Sequence, residues 1–476
     1  MNHNQSIRRW LTPMITIILF GSVIGVTFFF LGFQGTLLSI LFILCFVPVI
    51  VSLQRGSFDL LEPIIVYTAF MLMFAIAIFD RVYLQDPFLR YSEVVSTDFS
   101  TAFLLITTLY VIFFALVLVG YYIDISRFIA IPQIYPTNVQ HNSNILRKMG
   151  YLYMFLGSVF YLVLVSSALG GNLFLLFTST RPRSSIFAGS YHLQLGAQLL
   201  HLGYTVWFVS ILADNKKPKI RHLVPVGPIV VAFFLLGGRG SALGIIVNFI
   251  VLIYYSTIYG LLDIKTSGLT FVQDKFHQWV KTLTIPIAGA VIAVTVLLTG
   301  SLRRNRTITE AIVNMDLVRL LTAGIHNDTL DSLIATLEVV PEQFGFYWGT
   351  FVFRVPLNWI PRSIWSEKPV LTVGSKFRRV ILPNQSGGRP PGEIGRFYVD
   401  LGYPGIVIGA LVTGLVLRYL YELLRKNGHS PMFLFIYSTS LFLISMNGLT
   451  NNVLWNSMSS MILLLPIIFL DGIYWK

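Results

Sequence analysis

Long apolar stretches separated by short polar segments dominate the pattern of the chain. The hydrocarbon core of a bilayer is about 30 Å thick, so a helix needs about 20 apolar residues to cross it. That window predicts membrane-spanning helices over residues 10–31, 34–53, 62–79, 100–122, 149–170, 191–213, 223–238, 241–262, 282–301, 403–424, 431–449 and 453–475. The first stretch is too long for the apolar part of a signal peptide, and no small-residue cleavage site follows it. The sequence therefore predicts an all-α polytopic membrane protein with about twelve transmembrane helices.

The composition supports this prediction. Of 476 residues, 55% are hydrophobic and 12% are charged, with a mean hydropathy of +0.73. Soluble domains carry about 25% charged residues, so an ordinary soluble enzyme is excluded. The one cysteine, Cys45, lies within a predicted span, which excludes a disulfide framework and a cysteine-based metal site.

The distribution of Lys and Arg predicts the orientation. Basic residues concentrate in the short loops on one side, as in Arg8-Arg9, Lys216-Lys217 and Arg425-Lys426, and are sparse in the loops opposite. Positive charge in short loops marks the cytoplasmic side. We therefore expect both termini in the cytoplasm, and we interpret the net charge of +13 in this way rather than as a nucleic-acid-binding surface.

Residues 302–402 form a large loop that we expect on the outer face, between transmembrane segments 1–301 and 403–476. The loop carries twelve basic and nine acidic residues, and between 354 and 396 there are eight basic residues against Glu367 and Glu393. Long loops translocate regardless of charge, so the orientation stands. An electropositive vestibule for an anionic ligand explains the excess, and pairing with anionic head groups is the alternative.

Within the loop, three side chains are candidates for acid–base chemistry. Asp328 precedes an apolar-periodic run and is either the N-cap of a helix, with Asp331 in its first turn, or a reactive carboxylate. His326 lies two residues earlier. Glu393 lies within a Gly/Pro-rich stretch, 386–395, that is typical of exposed backbone close to a ligand.

The predicted spans lack acidic residues near their middles, and only His201 lies at mid-depth. Intramembrane carboxylates or histidines bind the driving ion of coupled transporters. This pattern disfavours proton-coupled transport. A hydrogen bond to a neighbouring helix is the simpler interpretation of His201.

Several arginines are expected on the outer face. The turn Gly237-Gly-Arg-Gly240 exposes Arg239, and Thr180-Arg-Pro-Arg183 follows the fifth span. A single arginine at a helix end commonly extends to the head groups. Several on one face indicate phosphate binding, because guanidinium groups bind phosphate oxygens bidentately.

The order of these motifs resembles the Wzy-type O-antigen and oligosaccharide repeat-unit polymerases. The likeness covers about residues 170–450 and lies in Gly-Gly-Arg-Gly, Arg303-Arg304 and the run Ile-Pro-Arg…Lys-Pro…Gly-Glu…Gly-Tyr-Pro-Gly over 360–405. An Arg-x10-Gly pattern of some members is absent, so no role is transferred from it.

The resemblance implies a GT-C-like glycosyltransferase without metal or cofactor at the outer face of the bacterial inner membrane. Its substrates would be undecaprenyl-diphosphate-linked oligosaccharides as donor and acceptor. Its partners would be membrane lipids, a chain-length regulator and a flippase, and no nucleic acid.

The resemblance also implies residue roles. Basic side chains would bind the pyrophosphates and glycan: Arg181, Arg239, Arg303, Arg304, Arg362, Lys368, Arg389 and Arg396. Asp328 is favoured as the general base, with His326 and Glu393 as alternatives. An O-antigen ligase is the nearest alternative function, and a lipid-linked oligosaccharide flippase or a binding protein are others.

Overall fold

The computed structural model describes residues 31–55, 58–84, 91, 95–132, 134–135, 139–170, 190–214, 222–236, 239–261, 325–350, 357, 360, 365–367, 373–381, 390–447 and 474–475. Within them the chain is helical apart from one pair of two-residue strands. Six helices there are long and apolar enough to cross a membrane, and three shorter apolar helices accompany them. A helical membrane protein is thus confirmed. The predicted spans 10–31, 282–301 and 453–475 lie wholly or almost wholly outside the described residues, so the number twelve stays a prediction.

The elements follow one another along the chain in this order: α1 Leu31–Gln54, α2 Pro63–Phe79, α3 Phe99–Tyr122, β1 Ile134–Tyr135, α4 Val139–Leu169, α5 Tyr191–Ala197, α6 Leu199–Ala213, α7 Val226–Leu235, α8 Arg239–Ile258, α9 Ile325–Val339, α10 Val373–Ile381, α11 Gly392–Asn427, α12 Pro431–Asn447 and β2 Tyr474–Trp475. A π-helical turn, Asp80–Leu84, continues α2.

Local sequence explains several helix starts. Pro63 opens α2, where its missing N–H costs nothing. Asp98 caps α3, its carboxylate accepting a hydrogen bond from the Thr101 amide at 3.0 Å. In α10 the buried side chains Val373, Phe377 and Ile381 recur every four residues, which gives this short helix one apolar face.

The chain forms two compact units. The first combines Met1–Ile123, Thr322–Arg354 and Pro369–Arg418. In it α9 packs against α2 and α3, and α3 packs closely against α11. The close approach depends on Gly414, because a Cβ added there would lie 2.1 Å from the Val117 carbonyl oxygen.

The second unit combines Asp124–Leu321, Val355–Lys368 and Tyr419–Lys476. Here α4 packs along α5 and α6, while α8 packs against α7 and α12. The Asn248 amide joins α8 to α12 through Ser438 and Thr439. The strands β1 and β2 are antiparallel, with Ile134 opposite Trp475.

Candidate functional site

The candidate site lies in the first unit and is built around a break in α11. Gly402 has φ 67° and ψ −152°, a conformation open essentially to glycine alone, and it divides the helix into a first arm, residues 392–401, and a second arm that begins at Tyr403. Pro404 lies in the first turn of the second arm, where proline fits a helix.

The two arms fold back on each other as a helical hairpin. A Cβ added at Gly405 or Gly409 would collide with Phe397, and Thr413 contacts Glu393. Residues later in the first arm therefore contact residues earlier in the second arm. Consequently the first arm packs antiparallel to the second arm, which is an apolar helix. The first turn of the first arm lies beside Thr413, ten residues after the start of the second arm.

Both carboxylate oxygens of Glu393 accept a hydrogen bond from a hydroxyl group. Tyr67 of α2 donates to Oε2 at 2.8 Å, and Thr413 of the second arm donates to Oε1 at 2.7 Å. Tyr67 is 1% exposed. Tyr110 of α3 also lies within electrostatic range of this carboxylate.

This position corrects the sequence analysis, which placed Glu393 on exposed loop backbone. Residues 392–400 are helical, and Ile394, Gly395 and Arg396 are buried. Glu393 lies outside the predicted spans, yet its carboxylate accepts hydrogen bonds from side chains of two of them, 62–79 and 403–424. The cause is tertiary, because a segment that precedes the tenth predicted span folds back along it.

Arg396 lies one turn after Glu393 and Asp400 one turn further, so all three share a face of the first arm. Arg396 is 8% exposed and interacts electrostatically with Glu393, Asp400 and Tyr347. The face thus alternates in charge along its length. A buried guanidinium flanked by two carboxylates is held in place by their charge.

The segment 345–350 is attached to the end of the first arm. The Trp348 amide donates to the Asp400 carbonyl at 2.8 Å, and the Gly349 amide donates to Asp400 Oδ1 at 3.1 Å. The Trp348 side chain is 72% exposed, and its backbone has φ 51°. The Lys376 ammonium of α10 lies 4.8 Å from the centre of the Tyr347 ring. This aromatic segment therefore lies against the end of the first arm.

The helix α9 packs against the start of the first arm. The Thr329 methyl faces Gly392, and Leu333 faces Gly395. At its other end, Glu338 accepts hydrogen bonds from the Thr97 amide and from the hydroxyls of Ser96 and Thr97. The Thr97 hydroxyl bond is the main reason that the pKa of Glu338 lies below its ordinary value.

Of the acid–base candidates, Glu393 alone has a described side chain. The backbone of His326 and Asp328 belongs to the first turn of α9, and their side chains lie outside the described residues. The N-cap interpretation of Asp328 was wrong, because α9 begins three residues earlier at Ile325. Asp331 lies in the second turn and is paired with Arg81 at 2.9 Å.

Of the basic candidates, Arg396 alone has a described side chain, and it lies beside Glu393. Arg239 begins α8, and its side chain is outside the described residues. The others lie wholly outside them: Arg181, Arg303, Arg304, Arg362, Lys368 and Arg389. His201 is buried in α6 of the second unit, with its ring edge-on to Phe233 at 5.4 Å.

Sequence reasoning missed Tyr67 and Thr413. Each lies in an apolar stretch of helix, where a hydroxyl is a weak signal by itself. Among the described residues, no group of three His, Cys, Asp or Glu side chains is arranged to hold a metal ion. No protein-family model, curated protein or solved structure matches the chain.

Proposed function

We propose that the protein is a polymerase that joins undecaprenyl-diphosphate-linked oligosaccharide repeat units into a surface polysaccharide. The sequence resemblance supports this proposal. So does one structural observation: a half-buried carboxylate, Glu393, and a buried guanidinium, Arg396, share one face of a helical arm that folds back along an apolar helix. The proposal includes a GT-C-like architecture with about twelve spans, an outer-face site in the bacterial inner membrane and cytoplasmic termini.

The proposed chemistry is a glycosyl transfer. The acceptor hydroxyl attacks the anomeric carbon of the donor glycan, forming the new glycosidic bond. The bond between that carbon and the pyrophosphate oxygen breaks, and undecaprenyl diphosphate leaves with the bonding electron pair. The acceptor proton passes to a general base, for which we propose Glu393.

The charge on the departing diphosphate requires cationic partners. Arg396 is the proposed partner with a described position. Arg239, Arg303, Arg304 and Arg362, with Arg181, Lys368 and Arg389, remain proposed partners from the sequence. Accordingly, Arg239→Ala and Arg362→Ala should each abolish the polysaccharide ladder while the protein still reaches the membrane.

Deletion of the gene followed by gel analysis of the surface glycan tests the function. A polymerase deletion leaves a single repeat unit on the surface and no ladder. The site is tested by complementing the deletion strain with the Glu393→Gln variant. Glu62→Gln is the matched control, because Glu62 is buried and its carboxylate likewise accepts a hydrogen bond from a tyrosine, Tyr121, at 2.6 Å. We expect Glu393→Gln to give the deletion pattern and Glu62→Gln to restore the ladder. An intact ladder in the deletion strain would refute the function.

A lipid-linked oligosaccharide flippase is the second candidate, and the position of Glu393 favours it. The sequence argument against a transporter was the lack of a charged group at mid-depth in the spans, and Glu393 weakens that argument because its carboxylate is bonded to side chains of two predicted spans. The same deletion distinguishes the two candidates. Loss of a flippase removes every repeat unit from the surface, including the single one. Loss of an O-antigen ligase would instead leave the polymer attached to its lipid carrier.

A further inference from the structure

The Glu393 carboxylate is held by hydroxyl groups from two different elements. Tyr67 belongs to α2, and Thr413 belongs to the second arm of α11. Each oxygen receives one hydroxyl, at 2.8 Å and 2.7 Å. Two bonds to the two oxygens fix both the position and the rotation of the carboxylate plane.

The two hydroxyl bonds orient the carboxylate without using all the lone pairs that a carboxylate has. A carboxylate oxygen has two lone pairs, so a single hydroxyl bond does not exhaust its capacity to accept hydrogen bonds. A third donor, such as the hydroxyl of a sugar, could therefore approach an already oriented acceptor.

The identity of Tyr67 is informative because of its surroundings. The sequence of α2, Pro-Ile-Ile-Val-Tyr-Thr-Ala-Phe-Met-Leu-Met-Phe, is apolar, and a phenylalanine at 67 would fill nearly the same volume. A buried hydroxyl without a partner costs free energy. The hydroxyl of Tyr67 is satisfied by Glu393, which is 326 positions away in the chain.

We infer that Tyr67 and Thr413 are positioning residues that orient the Glu393 carboxylate for the acceptor hydroxyl. The inference rests on the proposed function. It assigns a role in the reaction to α2, which lies outside the stretch of about residues 170–450 that resembles the polymerases. Neither residue touches the reacting atoms in this scheme, because each acts through Glu393.

The variants are Tyr67→Phe and Thr413→Val, which remove one hydroxyl each with little change in shape, and Thr413→Ser, which retains the hydroxyl. Tyr121→Phe is the matched control. It removes an equivalent tyrosine–glutamate hydrogen bond, to Glu62, from the same unit. All are purified in detergent and supplied with the lipid-linked repeat unit extracted from the deletion strain.

We expect Tyr67→Phe and Thr413→Val to lower kcat by roughly tenfold to a hundredfold, a part of the ~10²–10⁴-fold that a general base contributes. KM for the lipid-linked substrate should stay within about twofold, because orienting the base acts on the chemical step. Thr413→Ser should recover most of kcat, and Tyr121→Phe should resemble the wild type.

Two results would overturn the inference while leaving the function intact, provided that Glu393→Gln is inactive. One is a wild-type kcat in Thr413→Val. The other is an equal loss of kcat in Thr413→Val and Thr413→Ser. If Tyr67→Phe does not fold, the Thr413 pair still decides. Failure of the proposed function looks different, because wild-type protein would then form no polymer from the extracted substrate.

Discussion

Arg81 and Asp331 form an ion pair across 250 positions of the chain. Arg81 Nη2 donates to Asp331 Oδ1 at 2.9 Å, and the two side chains are 1% and 5% exposed. The guanidinium also lies 5.6 Å from the centre of the Phe103 ring. The pair joins the end of α2 to α9 and so fixes the helix that packs against the start of the hairpin.

Breaking this pair from one side should be strongly destabilising. Removing one partner leaves an uncompensated buried charge, which costs about 3–5 kcal/mol, whereas replacing both by apolar side chains is often neutral. We expect Asp331→Leu to lower the free energy of unfolding by that amount and the double variant Arg81→Met/Asp331→Leu to regain most of it. Denaturant unfolding in detergent measures both.

The exposed pair Arg127–Asp124 supplies the control, since its side chains are 77% and 50% exposed. Arg127→Met should change stability by less than about 1 kcal/mol. Additive losses in the Arg81 and Asp331 double variant would contradict the importance of the pairing itself.

Acidification should loosen α9 through Glu338. Hydrogen bonds from Thr97 and Ser96 lower the pKa of Glu338 below its ordinary value of 4.5. Because the folded-state pKa is depressed, the stabilisation is complete above pH 4.5 and is lost as the pH falls through the lower folded value. Asp98, the cap of α3, has a lowered pKa for the same kind of reason, led by its bond from the Thr101 amide, and acts in the same direction.

Thermal unfolding at pH 7 and at pH 3.5 tests this. The wild type should lose more stability on acidification than Glu338→Gln, which already lacks the charge. The exposed residue Glu342 provides the matched control. Equal acid sensitivity in Glu338→Gln, Glu342→Gln and the wild type would count against the role of Glu338.

The hairpin should depend on the glycine at 402. Its φ of 67° and ψ of −152° are strained for any residue with a Cβ, at a cost of about 1–3 kcal/mol. Gly402→Ala should lower stability by that amount and reduce activity, because the first arm carries Glu393. Gly227→Ala is the control, since an added Cβ there meets nothing within 4 Å. Wild-type melting temperature and turnover in Gly402→Ala would contradict this.

Arg396 should be needed as a planar guanidinium. It is nearly buried and interacts with carboxylates on both sides, so Arg396→Lys keeps a charge but loses the fork that can bind two phosphate oxygens. We expect Arg396→Met to abolish the ladder and Arg396→Lys to weaken it severely. Arg379→Met, at an exposed position of α10, should leave it unchanged. Immunoblotting of membranes normalises each result to the amount of protein.

Much of the helical framework could be read from the sequence. The predicted spans 62–79, 100–122 and 191–213 correspond closely to the helices Pro63–Leu84, Phe99–Tyr122 and His192–Ala213. Such agreement is expected because hydropathy over about 20 residues is a local property. The apolar-periodic run after Asp328 likewise corresponds to α9, apart from its earlier start.

The candidate site was predictable only in its residue types. Glu393 and Arg396 were identified from the composition of the large loop, but the contacts of Glu393 and the burial of Arg396 were not, because the chain reverses at Gly402 and carries the first arm back along the second. The roles of Tyr67 and Thr413 had no signal in the sequence, since a hydroxyl in an apolar stretch of helix indicates a role only once its hydrogen-bond partner is known.

Hydropathy by itself determined that this chain forms apolar helices of membrane-crossing length, because that property resides in consecutive residues. Tertiary structure alone decided that Tyr67 and Thr413 meet Glu393 and that Arg81 meets Asp331. Tyr67 and Glu393, like Arg81 and Asp331, are far apart in the chain, and buried charges and hydroxyls acquire their partners only when the helices pack.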